Sequence, residues 1–258
     1  MMAHWLPVSL LMALISLDVS AVGQFMFSRP IVIGPLVGWI CGVPQIGLEL
    51  GALIELIWIA DVAVGAHLPM DLSVLAGISV AFACELSQGR SPVPTEALMT
   101  FALGVSIPLA ALATEGEILL RKFHVRWIHF AQRMILGSHF QTFEWINSIV
   151  VGELLLKGFL TAVAGLTLAH WSTPLWNLLP VTVIQGFYYA HWLLLALGCS
   201  AVIDLLVERK SVIYLLLAIA TVMSLALFSP IQGVYLVSLA LFAGFVLTLV
   251  YVGRGETA

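Results

Sequence analysis

Charge is what this sequence has least of. Its 258 residues include ten Lys or Arg and fourteen Asp or Glu, which together make up 9% of the chain. A soluble domain carries about 25% charged residues. Residues counted as hydrophobic reach 61%, and the mean hydropathy is +1.09. A surface this poor in charge faces lipid, so the chain is read as an all-α, polytopic membrane protein. The net charge of −4 is mild, and the absence of a basic face excludes a nucleic-acid partner.

Cysteine is also scarce. Cys41, Cys84 and Cys199 lie in apolar stretches and form no CxxC pair. An odd count of such thiols argues against a disulfide framework or a structural zinc site. They read as small core residues. The seven histidines are scattered without HExxH spacing, so no metal or other cofactor is expected. No GxSxG, Walker A or nucleophile–base arrangement is present, which excludes catalysis by this chain alone. No Lys or Arg precedes the apolar run Leu6–Leu17, and no convincing cleavage site follows it. The run reads as a first membrane segment continuing past Asp18 toward Phe27, not as a cleaved signal.

A helix needs about 20 apolar residues to cross a bilayer. The second half supplies candidates at Glu153–His170, Val181–Leu206, Val212–Phe228 and Ile231–Val252. The first half has shorter runs: Pro30–Val43, Ile46–Ala60 and Leu72–Leu86, with Thr95–Ala113 nearer full length. Short segments interrupted by Gly and Pro point to broken or re-entrant helices lining a transporter's cavity. The chain is therefore expected to divide into a substrate-site half (1–113), an amphipathic arm (115–133) and a four-helix half (143–252). In the arm, Arg121, Lys122, Arg126 and Arg133 interleave with apolar residues at 119, 123, 127 and 130. This is helical spacing, and it predicts a helix at the membrane interface or against a partner subunit. The positive-inside rule puts the arm in the cytoplasm. Arg209, Lys210 and Arg254 then fall on the same side, and the C-terminus is cytoplasmic. Trp5, Trp145, Trp171 and Trp176 are expected at span ends.

From Pro30 to Gly89 there is no Lys or Arg, but there are five carboxylates: Glu49, Glu55, Asp61, Asp71 and Glu85. A charge at mid-membrane costs about 2.5–3.5 kcal/mol on insertion scales, so such groups should face protein or a wet cavity. Glu49, Glu55 and Asp61 are six residues apart and splay in three directions on one straight helix, so either the helix breaks or protein surrounds it. Glu55, Asp61, His67 and Asp71 are the candidate substrate-binding residues. Ionised, a carboxylate accepts sugar hydroxyls; protonated by burial, it carries a proton. For Asp71, just before Leu72, a helix-capping role is the competing reading. Glu153 and Lys157, four apart, are expected to pair.

The stretch Gln24–Asp71 resembles the membrane subunit IIC of the mannose/fructose/sorbose family of bacterial phosphotransferase systems. The residues that carry the likeness are Phe25-Met26-Phe27-Ser28-Arg29-Pro30, Leu36-Val37-Gly38, Gly47, Gly51-Ala52-Leu53-Ile54-Glu55-Leu56, Gly65-Ala66 and Asp71, at the family's spacing without a gap. The resemblance implies a permease component in the bacterial inner membrane that moves a hexose while a partner IIB subunit phosphorylates it. It also implies a IIA subunit, a second membrane subunit IID, and a trimer of IIC–IID pairs working as an elevator. The phosphorylated histidines belong to IIA and IIB. The chain departs from the pattern at Ala63, where the family commonly has Asn, at His67, and at Ala60-Asp61 in place of a Gly-Trp pair. Two other readings stay open: a regulatory or assembly subunit that does not transport, and a stand-alone proton-coupled transporter.

Overall fold

The computed structural model describes residues 4–18, 21, 23, 25–61, 68–89, 93–136 and 140–206. These contain eight helices and no strand: α1 (Trp5–Asp18), α2 (Pro30–Cys41), α3 (Pro44–Ile57), α4 (Leu72–Ser87), α5 (Thr95–Leu136), α6 (Phe140–Trp171), α7 (Thr173–Leu178) and α8 (Val181–Leu206). The chain divides into a compact unit from Met1 to Ala201 and a second from Val202 to Ala258. Of the second, only the end of α8 is described. The expected spans Val212–Phe228 and Ile231–Val252, the basic sites Arg209, Lys210 and Arg254, and the site residues Ala63 and His67 lie outside the described residues.

Helix α1 is shorter than expected. It is described from Trp5 to Asp18, the Ala21 N–H still donates to the Leu17 carbonyl at 2.8 Å, and the chain is in a turn by 25–28, so the segment is not one helix out to Phe27. The Asp18 carboxylate accepts the backbone N–H of Phe25 at 2.7 Å and of Ser28 at 3.0 Å, which turns the chain back. Leu6, Leu10 and Leu14 form an exposed stripe, while Val8, Met12 and Ile15 are buried. Ser16 and Gly158 let α1 and α6 approach closely. Ser16 Oγ donates to the Leu154 carbonyl at 2.9 Å, and a Cβ on Gly158 would sit 2.6 Å from that hydroxyl.

Helices α2 and α3 form a tight hairpin. Pro30 and Pro44 open the two helices, where a missing N–H costs nothing. Gly42, at φ +81°, closes α2 in the left-handed conformation that glycine adopts without strain. The seam is backbone on backbone: a Cβ on Gly34 would lie 2.2 Å from the Gly47 carbonyl oxygen, and one on Gly51 would lie 2.4 Å from that of Pro30. At 1.5 Å per residue the helices are roughly 18 and 21 Å long. Neither crosses a hydrocarbon layer of about 30 Å alone.

Helix α4 is apolar all round and is the centre of the unit, with Ser73–Val80, Phe82–Cys84 and Leu86 buried. The largest departure from the sequence reading is α5, a single helix of 42 residues. It contains both the expected span Thr95–Ala113 and the stretch Glu115–Arg133, with no break between them. The arm is helical, as its spacing predicts, but it is the continuation of a span. Leu119, Phe123, Val125, Ile128 and Phe130 are exposed along it. α8 starts at Val181 as its apolar run predicts and is described to Leu206, and α7 fills the Ser172–Pro174 break. Trp145 and Trp171 are exposed near helix ends as expected; Trp176 is not. It is buried, 5.0 Å from the Phe101 ring. Among the described residues three helices are long and apolar enough to cross a membrane: Thr95–Phe130, Trp145–Leu178 and Val181–Leu205.

Candidate functional site

The site is built from the motif upward. Asp18 pins the turn at 25–28, in which Met26 takes φ 65°, an uncommon conformation for a residue with a Cβ. The turn delivers Arg29 to the start of α2. Across the hairpin, Gly47, Gly51 and Glu55 follow each other at four-residue intervals, so they lie along one face of α3. The first two let the helices touch, and the third meets the guanidinium. Arg29 Nη1 donates to Glu55 Oε1 at 2.9 Å. Among the described residues, no donor reaches the other carboxylate oxygen, Glu55 Oε2, although it is buried. A buried carboxylate oxygen without a donor is costly unless something occupies it at work.

The remaining sequence candidates fall around the same connection. Asp61 lies beyond the last turn of α3, its N–H donating to the Trp58 carbonyl at 3.0 Å. The predicted splay of Glu49, Glu55 and Asp61 is resolved by helix ending: α3 stops at Ile57, and Glu49 is exposed on its outer side. His67 lies in the undescribed 62–67 connection.

Asp71 opens α4 as its N-cap. Its Oδ1 accepts the Val74 N–H at 3.2 Å and the Ser73 hydroxyl, and its own N–H donates to Thr114 Oγ1 at 2.9 Å. Its Oδ2 accepts from Lys157 Nζ at 3.1 Å, and the same ammonium donates to Glu117 Oε2 at 2.9 Å. Arg121 closes the group by donating to Glu117 Oε1 at 2.7 Å. Lys157 therefore does not pair with Glu153. That carboxylate instead binds His124 Nε2 at 2.9 Å and the Trp127 indole N–H at 3.1 Å, tying the arm to α6. At the far end of α4, Glu85 is bonded to His170 Nδ1, with Trp5 edge-on to the same imidazole.

Sequence reasoning missed the partners of these carboxylates. Arg29 was visible as the cation immediately before the acidic stretch. Nothing local marked Lys157, 86 residues from Asp71, or His170, 85 residues from Glu85.

The described helices, their exposed leucines and phenylalanines and their internal ion pairs define a polytopic membrane protein with an ion pair on a helical hairpin. The model of a family described as the sorbose-specific IIC component of the phosphotransferase system matches residues 3–249, and the chain belongs to that family of membrane sugar-transporter components. The mannose-specific EIIC component of Escherichia coli K12 is 23% identical over 192 residues, covering 72% of this chain and 68% of the relative. The sorbose-specific EIIC component of Lacticaseibacillus casei is 23% identical over 189 residues, covering 72% and 65%. Two solved structures share the fold, each at 19% identity and covering 98% of this chain and 96% of the other. One, titled as the structure of a membrane protein, has a TM-score of 0.68. The other is a cryo-EM structure of the mannose transporter ManYZ with microcin E492, with a TM-score of 0.57.

Proposed function

We propose that this chain is the sugar-translocating membrane subunit of a mannose-family, phosphoenolpyruvate-dependent phosphotransferase system. It moves a hexose across the bacterial inner membrane for phosphorylation by a IIB subunit, which IIA supplies. It works with a IID membrane subunit, as a trimer of such pairs, and its C-terminus is cytoplasmic. One observation carries the reading: the Arg29–Glu55 pair on the glycine-seamed hairpin, with Glu55 Oε2 buried and open to a donor. A hexose hydroxyl is such a donor, and an ionised carboxylate accepts two at once. Asp61 and His67 extend the site along the α3–α4 connection. Asp71, with both oxygens engaged, contributes by fixing where α4 begins. The chemistry of phosphoryl transfer stays with the soluble partners.

A second reading, a regulatory or assembly subunit without transport, is favoured by one feature, Ala63 in place of the family's common Asn. The two are separated by equilibrium binding of radiolabelled mannose, fructose and sorbose to the chain co-purified with its IID partner. Saturable binding of one of them, lost in Glu55→Gln, is the expected result. Assembly with IID and no binding of any of the three removes the carrier reading. Binding and uptake without partners, abolished by a protonophore, point instead to a stand-alone proton-coupled carrier.

A further inference from the structure

Two of the three cysteines meet at the junction of the hairpin with the central helix. Cys41 closes α2, and Cys84 lies near the end of α4. Neither is in a disulfide, and both are buried. The Cys84 thiol donates to the Cys41 carbonyl oxygen at 3.1 Å, which brings its sulfur against the residue that carries the second thiol.

Their surroundings differ from an ordinary core. Both cysteines line one small cavity of ≈ 20 Å³, together with His4, Trp5, Val8, Ala81, Glu85 and Gln88. That is room for one molecule the size of water. Gln88, on the exposed end of α4, places its amide Nε2 at 3.6 Å from Cys84 Sγ as a donor, with the Glu85 carboxylate on the same cavity wall opposing it. Cys84 therefore has a polar partner and a water-sized space beside it, and Cys41 is the neighbouring thiol.

We propose that Cys84 and Cys41 form a peroxide-sensitive thiol pair that, once oxidised, clamps the α2–α3 hairpin to α4. The Cys84 thiolate attacks one oxygen of a hydroperoxide and the O–O bond breaks. With hydrogen peroxide as the oxidant, the leaving hydroxide takes a proton and departs as water, and Cys84 becomes a sulfenic acid. The Cys41 sulfur then attacks the Cys84 sulfur, forming the disulfide and expelling the oxygen as a second water. Two thiols are oxidised by two electrons, and one peroxide is reduced to two waters. Cys84 is the attacking sulfur because the Gln88 amide donates to it, and Cys41 resolves it. The link would tie α2, one helix of the hairpin that carries Glu55, to the central helix α4.

The test starts from membranes containing the native chain. They are treated with millimolar hydrogen peroxide, denatured, and alkylated for thiol counting and peptide mass spectrometry. Free thiols should fall from three to one, with a peptide linking Cys41 to Cys84 and Cys199 still alkylated. In Cys41→Ala the sulfenic acid on Cys84 has no resolving thiol, and it should be captured by dimedone. Three thiols surviving treatment would overturn the proposal. So would oxidation of Cys84 to sulfinic acid without a link, or a link to Cys199. The thiol count on the unaltered chain decides the matter even where a substituted one fails to fold. It does not depend on which sugar, if any, the chain carries.

Discussion

Lys157 Nζ donates to Asp71 Oδ2 at 3.1 Å, joining the first residue before α4 to the middle of α6. With its second bond, to Glu117, this ammonium is the shared counter-charge of two largely buried carboxylates. Breaking a buried pair by removing one partner costs about 3–5 kcal/mol, because the other charge is left uncompensated. Lys157→Met should therefore lower the melting temperature of the detergent-solubilised chain sharply. Adding Asp71→Asn and Glu117→Gln should recover much of the loss. A melting curve unchanged by Lys157→Met would remove the network from the fold's support.

The Arg29–Glu55 pair behaves differently. Arg29 is half exposed, with 48% of its side chain accessible against 18% for Glu55. An exposed pair contributes about 0–1 kcal/mol to stability. Arg29→Gln should melt within a few degrees of the parent while sugar binding falls at least tenfold, since Glu55 loses the group that orients it. Equal loss of stability and binding would make the pair structural.

The hairpin seam makes a steric prediction. Gly34→Val brings new carbon into the Gly47 carbonyl, where one Cβ alone already stands at 2.2 Å. Folded yield, measured by size-exclusion of a fluorescent fusion, should collapse. Gly104→Ala is the control, because a Cβ there meets nothing within 4 Å. It should be neutral or gain up to about 1 kcal/mol from helix propensity.

Glu153 holds the arm to α6 through His124 and Trp127. Hydrogen bonds to a charged group contribute about 1.5–3 kcal/mol each. Glu153→Ala should raise the rate of tryptic cleavage at Lys122 and Arg126 about tenfold or more, with global melting changed much less. Unchanged cleavage would show that apolar contacts alone keep the arm in place.

The hydrophobic runs were legible because composition and length decide them. Val181–Leu206 follows Pro180 directly, so the start of α8 could be read to the residue. The same reading placed a boundary near Ala113, where apolar residues give way to Glu115 and Glu117. A change of composition is not a helix break, however: no Pro interrupts 114–136, the lone Gly116 is accommodated, and the backbone continues. The candidate carboxylates were identifiable from the cost of burying them, and Asp71 as a cap from the Ser73 that follows. Pairings were not. Glu153 and Lys157 look like partners along one helix, yet they face different neighbours once α5 and α4 pack beside them. Only tertiary structure brings Lys157 to Asp71 and His170 to Glu85.

The hairpin seam also limits how this chain can diverge. Where two helices meet through side chains, a change on one is answered by a compensating change on the other. At Gly34, Gly47 and Gly51 there is no side chain to adjust, and each backbone is the wall of its neighbour. Sequence drift in this element is thus pushed onto its outer positions. The strip of α3 that leads to Glu55 is held fixed by the absence of anything there to vary.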